Sequence, residues 1–455
     1  MVCLSNSGRN RLGFLSVLKR EEKEAVVLLQ MGTFLEYFDL LLYVHMAVLL
    51  NELFFPKTDP HTAELLAAFA FCSTFVLRPF GALIFGYLGD TIGRKTTVII
   101  TTILMSMSCM VMANLPTYEE VGIIAAWLVT ACRAVQGLSS MGEVIGAQIY
   151  VSELVRPPAQ YVAVSFIGVA SIAGGVVALG VASLVTRAGL DWRIAFWMGA
   201  TVAVIGSIAR IRLRETPEFV DMQSQFKKKI EELGSNKIKS LKIRAIKESL
   251  SKIQVKKQTY VAYFLAYCGW PLSFYLGFIY FNPILKSRFW YSAGDIILHN
   301  FYLSILPLIS FSVWSVLSYK IHPLKILRKR AEILLLFTLF LPFCISNATH
   351  HFQIFLIQAI LLVASMGDCP ASSVFVKHFP VFKRFTAASF VYALSRAIMH
   401  VITSFSLVYL TELFGYYGLW LIMIPVILGH LWGIQHFKIL EEEQLPNESA
   451  LSLAA

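Results

Sequence analysis

Between Gln258 and Leu285 the chain carries no charged side chain, and the same is true of Thr96 to Tyr118, Pro157 to Thr186, Ile296 to Tyr319 and Leu413 to Phe437. Each run reaches the roughly 20 apolar residues that an α-helix needs to cross a bilayer. Composition agrees. Of 455 residues, 57% are hydrophobic and only 15% charged, where a soluble chain carries about 25% charged residues. The mean hydropathy is +0.66. An apolar excess of this size is hidden in lipid, which argues against a water-soluble enzyme, a nucleic-acid binder or a disordered scaffold.

Adding runs that hold isolated charges places helices near 25–50, 62–89, 96–115, 120–150, 161–185, 192–213, 259–284, 296–319, 332–348, 352–376, 385–410 and 415–436. The reading is an all-α membrane protein with twelve transmembrane helices in two six-helix bundles. With the N-terminus inside, 31 of the 39 Lys and Arg residues fall on inner segments and five on outer loops. That bias puts both termini in the cytoplasm. It also accounts for most of the net charge of +11. The expected layout is a cytoplasmic tail (1–24), a first bundle (25–213), a basic cytoplasmic linker (214–258), a second bundle (259–436) and a second tail (437–455). The linker holds Lys227, Lys228 and Lys229 and reads as a solvated segment, with any amphipathic stretch lying on anionic lipid. The first 24 residues are polar and basic, and no cleaved signal peptide is expected. The seven cysteines include no CxxC pair, so no disulfide framework and no metal site is indicated.

Seven charged residues fall inside these spans: Glu36, Asp39, Arg78, Arg133, Glu143, Asp368 and Arg396. Facing lipid, each would cost about 2.5–3.5 kcal/mol, or roughly 20 kcal/mol together. That exceeds the net stability of about 5–15 kcal/mol typical of a domain. They therefore face the bundle interior, pair, or line a wet cavity. Helical spacing puts Glu36, Asp39 and Tyr43 within about 60° of one another on one face of the first span. Two carboxylates there are candidates to exchange a proton as their surroundings alternate between apolar and Arg-paired. Static ion pairing between helices is the competing reading for any one of them. In the fourth span Arg133 and Glu143 are about 15 Å apart along the axis and serve different levels. Arg133 is a planar fork suited to a carboxylate, or else pairs with Glu36 or Asp39. Glycines at 137, 142 and 146 allow close helix approach.

Particular motifs narrow the choice. Gly86-Tyr87-Leu88-Gly89-Asp90-Thr91-Ile92-Gly93-Arg94-Lys95 resembles the G-x-x-x-D-[R/K]-x-G-R-[R/K] loop of major facilitator proteins. Leu35-Glu36-Tyr37-Phe38-Asp39, Leu77-Arg78-Pro79-Phe80-Gly81 and Arg133 to Glu143, with Gln136 and Gly137, resemble elements of the metabolite:proton symporters of that superfamily. So do Trp192-Arg193-Ile194 and Arg214-Glu215-Thr216-Pro217-Glu218-Phe219. Members of this family include proline/betaine transporters, α-ketoglutarate permeases, citrate carriers and shikimate transporters. The resemblance implies two six-span halves with the solute between them at the midplane. It implies a cytoplasmic gate at Gly86, Asp90, Gly93, Arg94 and Lys95, weakened where Thr91 replaces a basic residue. The second half departs: the loop expected to read L-S-D-R-x-G-R-R reads Leu317-Ser318-Tyr319-Lys320-Ile321-His322, with Arg328-Lys329-Arg330 following late. Met366-Gly367-Asp368-Cys369-Pro370 breaks or kinks the tenth span beside a carboxylate.

The expected function is proton-coupled symport of a small carboxylate-bearing metabolite, either a proline/betaine-type zwitterion or an α-ketoglutarate-type acid. Arg at position 133 leans toward the acid. Substrate residues are Arg133, Tyr43, Asp368 and Gln136. Proton-coupling residues are Glu36, Asp39 and Glu143. Arg78 and Arg396 are expected in intramembrane charge pairs, Arg396 with Asp368. The expected setting is a bacterial inner membrane, with the bilayer, the solute and protons as partners, and no nucleic acid or obligatory oligomer. No GxxxxGK[ST], HExxH or GxSxG occurs, so no cofactor and no enzymatic activity are expected. The alternative is a sensing or non-transporting carrier homologue.

Overall fold

The structure is a computed structural model that describes residues 20–55, 74–140, 144–210, 224 and 255–453. The basic linker lies almost entirely outside these residues, as do Glu143 and most of the first tail. Among the described residues the chain is helical, with no strand. Eight helices are long and apolar enough to cross a membrane.

The first group comprises α1 (Arg20–Phe54), α2 (Arg78–Thr91), α3 (Arg94–Ala113), α4 (Ile123–Ser139), α5 (Val144–Leu154), α6 (Ala159–Ala188) and α7 (Trp192–Arg210). Within it α1 packs on α6 and α7, and α3 packs on α4 and α7. The second group comprises α8 (Lys257–Tyr275), α9 (Ala293–Leu317), α10 (Pro323–Ser346), α11 (His351–Val363), α12 (Ser372–Val376), α13 (Val381–Val401), α14 (Leu407–Phe414) and α15 (Gly418–Leu453). There α8 packs on α13 and α15, and α10 packs on α15. The groups are joined chiefly by α2 with α13 and α6 with α9, with smaller contacts of α12 and α13 on α5 and of α12 on α6. They define a seam between two halves.

Three elements depart from the expected boundaries. The helix expected over 332–348 starts at Pro323, whose missing N–H suits a first helical position. The helix expected to end near 436 runs on to Leu453. Phe437 and Glu441 hold that extension: Phe437 packs 4.7 Å from the Phe375 ring, and Glu441 pairs with Lys377 at 2.7 Å. The span expected over 352–376 is not continuous. It stops at Val363 and resumes at Ser372.

That break leaves backbone groups open in an apolar setting, where an unmade hydrogen bond is expensive. Buried side chains supply the partners. Arg330 of α10, 3% exposed, donates to the carbonyls of Cys369 (2.8 Å) and Ser365. The Ser273 hydroxyl accepts from the Met366 N–H at 3.2 Å. Arg330 also lies 4.5 Å over the Phe311 ring. It therefore belongs to the interior and not, as the Arg328-Lys329-Arg330 cluster indicates, to a solvated loop. Arg328 and Lys329 do point outward, toward Glu332 at 2.8 Å each.

Arg330→Ala is expected to lower the melting temperature of the detergent-purified protein. It orphans two carbonyls worth about 1–3 kcal/mol each. An unchanged melting curve would show that the break is satisfied from elsewhere.

Candidate functional site

Charged and polar side chains gather at three levels. At one end of the seam, the Asp90 carboxylate at the foot of α2 accepts from the Thr386 N–H (2.9 Å) and hydroxyl (2.6 Å) of α13. Gly86 sits so close that a Cβ there would stand 2.8 Å from Thr386 Cα. Beside them Arg384 pairs with Glu153 of α5 at 3.0 Å. Gly93 turns the chain with φ 109°, open to glycine but not to a residue with a Cβ, and Arg94 and Lys95 begin α3. The described side chains do not include that of Arg94. Thr91, where a basic residue was expected, bonds back to the Tyr87 carbonyl at 2.7 Å. The second half has a different device at this end: Lys377, His378 and His322 converge on Glu441 at 2.7, 3.0 and 3.9 Å. The His322 ring in turn meets Tyr161 of the first half edge-on at 5.9 Å. At the opposite end of the seam, Arg187 and Asp295 are 3.7 Å apart.

Between the two ends lie two adjoining cavities of about 40 Å³ each. Each has room for roughly two or three waters, against the 300 Å³ or more of a typical ligand pocket. The seam is closed around a collapsed interior. Tyr37, Ser171 and Ile172 from the first half and Trp270 and Arg396 from the second line both cavities. Asp368 and Gln148 line one, and Arg78 and His400 the other. Asp368, exposed by the helix break, accepts from Ser372 (2.6 Å), Gln148 (3.2 Å) and Tyr267 (3.4 Å). The Gln148 bond crosses the seam.

The third level is inside the first half. Arg133, 2% exposed, donates to Gln136 Oε1 (3.0 Å) and the Leu40 carbonyl (3.4 Å) and stacks 4.2 Å over the Tyr43 ring. Gln136 donates to the Cys109 thiol at 3.4 Å, and Asp39 lies beside that thiol. Glu36 is buried on the same helix as Asp39. Thus Arg133, Gln136, Tyr43 and Asp39 come together, but none of them lines either cavity. Asp368 does. Arg78 and Arg396, expected in charge pairs, meet on one cavity wall, and the hydrogen bonds given for Asp368 go to Gln148, Tyr267 and Ser372 rather than Arg396. Tyr37, Gln148, Arg330 and Glu441 were not foreseen at these levels. For Arg330 a signal existed: it is about 200° round the helix from Arg328, on the face of Leu327 and Leu334.

Residues 30–404 match the family described as Major Facilitator Superfamily. The chain is 36% identical over 204 residues to the proline/betaine transporter of Escherichia coli (strain K12), covering 43% of this chain and 41% of that protein. It is 34% identical over 196 residues to the inner membrane metabolite transport protein YhjE of the same organism, covering 41% and 44%. The chain thus spans less than half the length of the curated relatives it matches. Among solved structures, the proton:xylose symporter XylE superposes with a TM-score of 0.72 at 16% identity, over 90% of this chain and 94% of that one. The human organic anion transporter MFSD10 gives 0.63 at 16% identity, over 91% and 100%.

Thr386→Val and Asp90→Ala are expected to open the Asp90 end of the seam. Charge-assisted bonds of about 1.5–3 kcal/mol are removed, enough for a roughly tenfold to hundredfold shift in population. Alkylation of Cys369, which lines a cavity, reads this out with the other six cysteines replaced. An unchanged alkylation rate in both variants would show that these bonds do not hold the end shut.

Proposed function

The chain belongs to the Major Facilitator Superfamily, and we propose that it is a secondary active transporter that moves a small carboxylate-bearing metabolite together with a proton by alternating access. The observation that carries this reading is the seam. A small interior walled by charged residues of both halves is sealed at the Asp90 end by Asp90–Thr386 and Arg384–Glu153. A fixed central site with a breakable contact set at each end is what rocking of two halves requires. The full topology under this proposal is twelve spans in two six-helix bundles with both termini cytoplasmic, so the Asp90 end faces the cytoplasm. The setting is a bacterial inner membrane. Solute transport by the relatives named above supports the reading.

In this proposal Asp368 meets the solute directly. Arg133, Tyr43 and Gln136 stand behind the cavity wall and reach it when α1 and α4 move. Glu36, Asp39 and Glu143 exchange the proton. The string from Arg133 through Gln136 and Cys109 to Asp39 gives a physical link between a carboxylate and a cation whose separation changes with that motion.

Uptake in proteoliposomes tests it, with radiolabelled proline, glycine betaine, α-ketoglutarate and citrate, each with and without an inward proton gradient. The expected result is uptake of at least one, abolished by a protonophore. Ligand binding with no uptake would favour a sensing homologue instead. Arg133→Ala is expected to insert normally and to lose uptake by at least tenfold. Wild-type rates in that variant would remove Arg133 from the working set.

A further inference from the structure

Arg78 and Arg396 come from opposite halves, and the helices that carry them, α2 and α13, pack on each other across the seam. Both are buried, at 1% and 6% exposure. Each guanidinium sits over a ring of its own half: Arg78 is 4.4 Å over Phe75 and Arg396 is 4.6 Å over Tyr392. A ring takes only the face of a guanidinium and leaves its N–H edges available for bonding, and both residues line the same cavity. On those edges Nε and Nη2 of Arg78 and Nε of Arg396 have no hydrogen-bond partner among the described residues.

Two like charges on one cavity wall repel, and the two groups are close enough to feel each other. Glu36 adds a weaker attraction on Arg78. Asp368, in the adjoining cavity, already accepts from Gln148, Tyr267 and Ser372. Asp368 shares the first cavity with Arg396 and attracts it, but among the described residues no carboxylate bonds to the open edges of Arg78 and Arg396.

We propose that Arg78 and Arg396 form a clamp split across the seam that holds one carboxylate of the transported solute. This deepens the function proposed above and rests on its premise that the seam is the solute site. It moves the anionic contact from Arg133 to these two residues. A carboxylate offers two oxygens to two forks, one from each half. Once bound it cancels the repulsion between the halves, so the bound solute favours closure. A neutral polyol leaves both charges unneutralised and is excluded.

The test is equilibrium binding to the full chain in nanodiscs, with proline, glycine betaine, α-ketoglutarate and citrate as probes, and prolinamide and glycine betaine amide as carboxylate-free controls. The wild type is expected to bind at least one carboxylate, and conversion of a bound proline or betaine to its amide to weaken binding roughly 30-fold or more. Arg78→Gln and Arg396→Gln are each expected to weaken the bound carboxylate by roughly 30- to 1,000-fold. Arg78→Lys and Arg396→Lys keep the charge without the fork and are expected to lose less. If the Gln variants do not fold, the Lys variants and the amide comparison on the wild type decide. Wild-type affinity in the folded variants, amides bound as well as acids, or no carboxylate bound by the wild type overturns the clamp. Uptake separates this from the broader reading. Transport of a solute that ignores both arginines sinks the clamp alone, whereas carboxylate binding that needs both arginines but never leads to uptake sinks the transporter and leaves the clamp standing.

Discussion

A bilayer core offers no water to complete a hydrogen bond, so every polar group that the chain carries into it must be answered by another part of the chain or by a ligand. The arrangement around the seam follows from that constraint. The interrupted helix at 364–371 is tolerable because Arg330 and Ser273 reach its backbone. Arg133 is tolerable because Gln136, the Leu40 carbonyl and the Tyr43 ring surround it. Asp368 has three donors, one of them from the opposite half. Arg78 and Arg396 leave N–H edges open on a cavity wall, and Arg133 leaves its Nε and Nη2 open inside the first half. Protein groups answer most of the interior, and Arg78 and Arg396 are the ones left open on a wall where the halves meet.

The ends of the seam use a cheaper chemistry. Asp90–Thr386, Arg384–Glu153 and Arg187–Asp295 are a few polar contacts each near the ends of helices, the first two partly buried and the last exposed. Such bonds contribute about 1–3 kcal/mol apiece and can be exchanged for water. Contacts of that size permit two states of comparable energy. Beside them a buried apolar cluster also crosses the seam, with Phe385 and Ala388 of α13 packed among Ala82, Ile145 and Ile149 of the first half.

The apolar runs and the seven intramembrane charges were legible directly, because length without charge and the cost of burying an ion are local properties. Of the seven, Glu36, Asp39, Arg78, Arg133 and Arg396 are buried as anticipated, Asp368 is half-buried on a cavity wall, and Glu143 lies outside the described residues. The Asp90 motif was also legible, and its carboxylate does join two halves, but its partner Thr386 lies 296 residues away and carries no motif. Which helix face meets the seam was not legible. Periodicity gives angles between residues of one helix, not the rotation of that helix against its neighbours. For that reason Arg133 and Tyr43, expected at the solute site, turn into the first half, while Tyr37 and Leu40 turn to the seam. Glu441 was assigned to a tail because polar residues crowd the end of its helix, yet aromatic packing of Phe437 carries the helix on to place it.

The claim that the two halves rock about a closed centre is tested most directly by measuring both ends of the seam at once. Spin labels at the exposed positions Ile92 and Lys383 report the Asp90 end, and labels at Leu190 and Trp290, 51% and 88% exposed, report the other. Double electron–electron resonance on the two pairs, with and without glycine betaine or α-ketoglutarate and at low and high pH, gives two distance distributions. Alternating access predicts that they shift in opposite directions, the Asp90 end widening as the Arg187 end narrows. Two distributions that stay fixed under every condition, or that widen together, would contradict it.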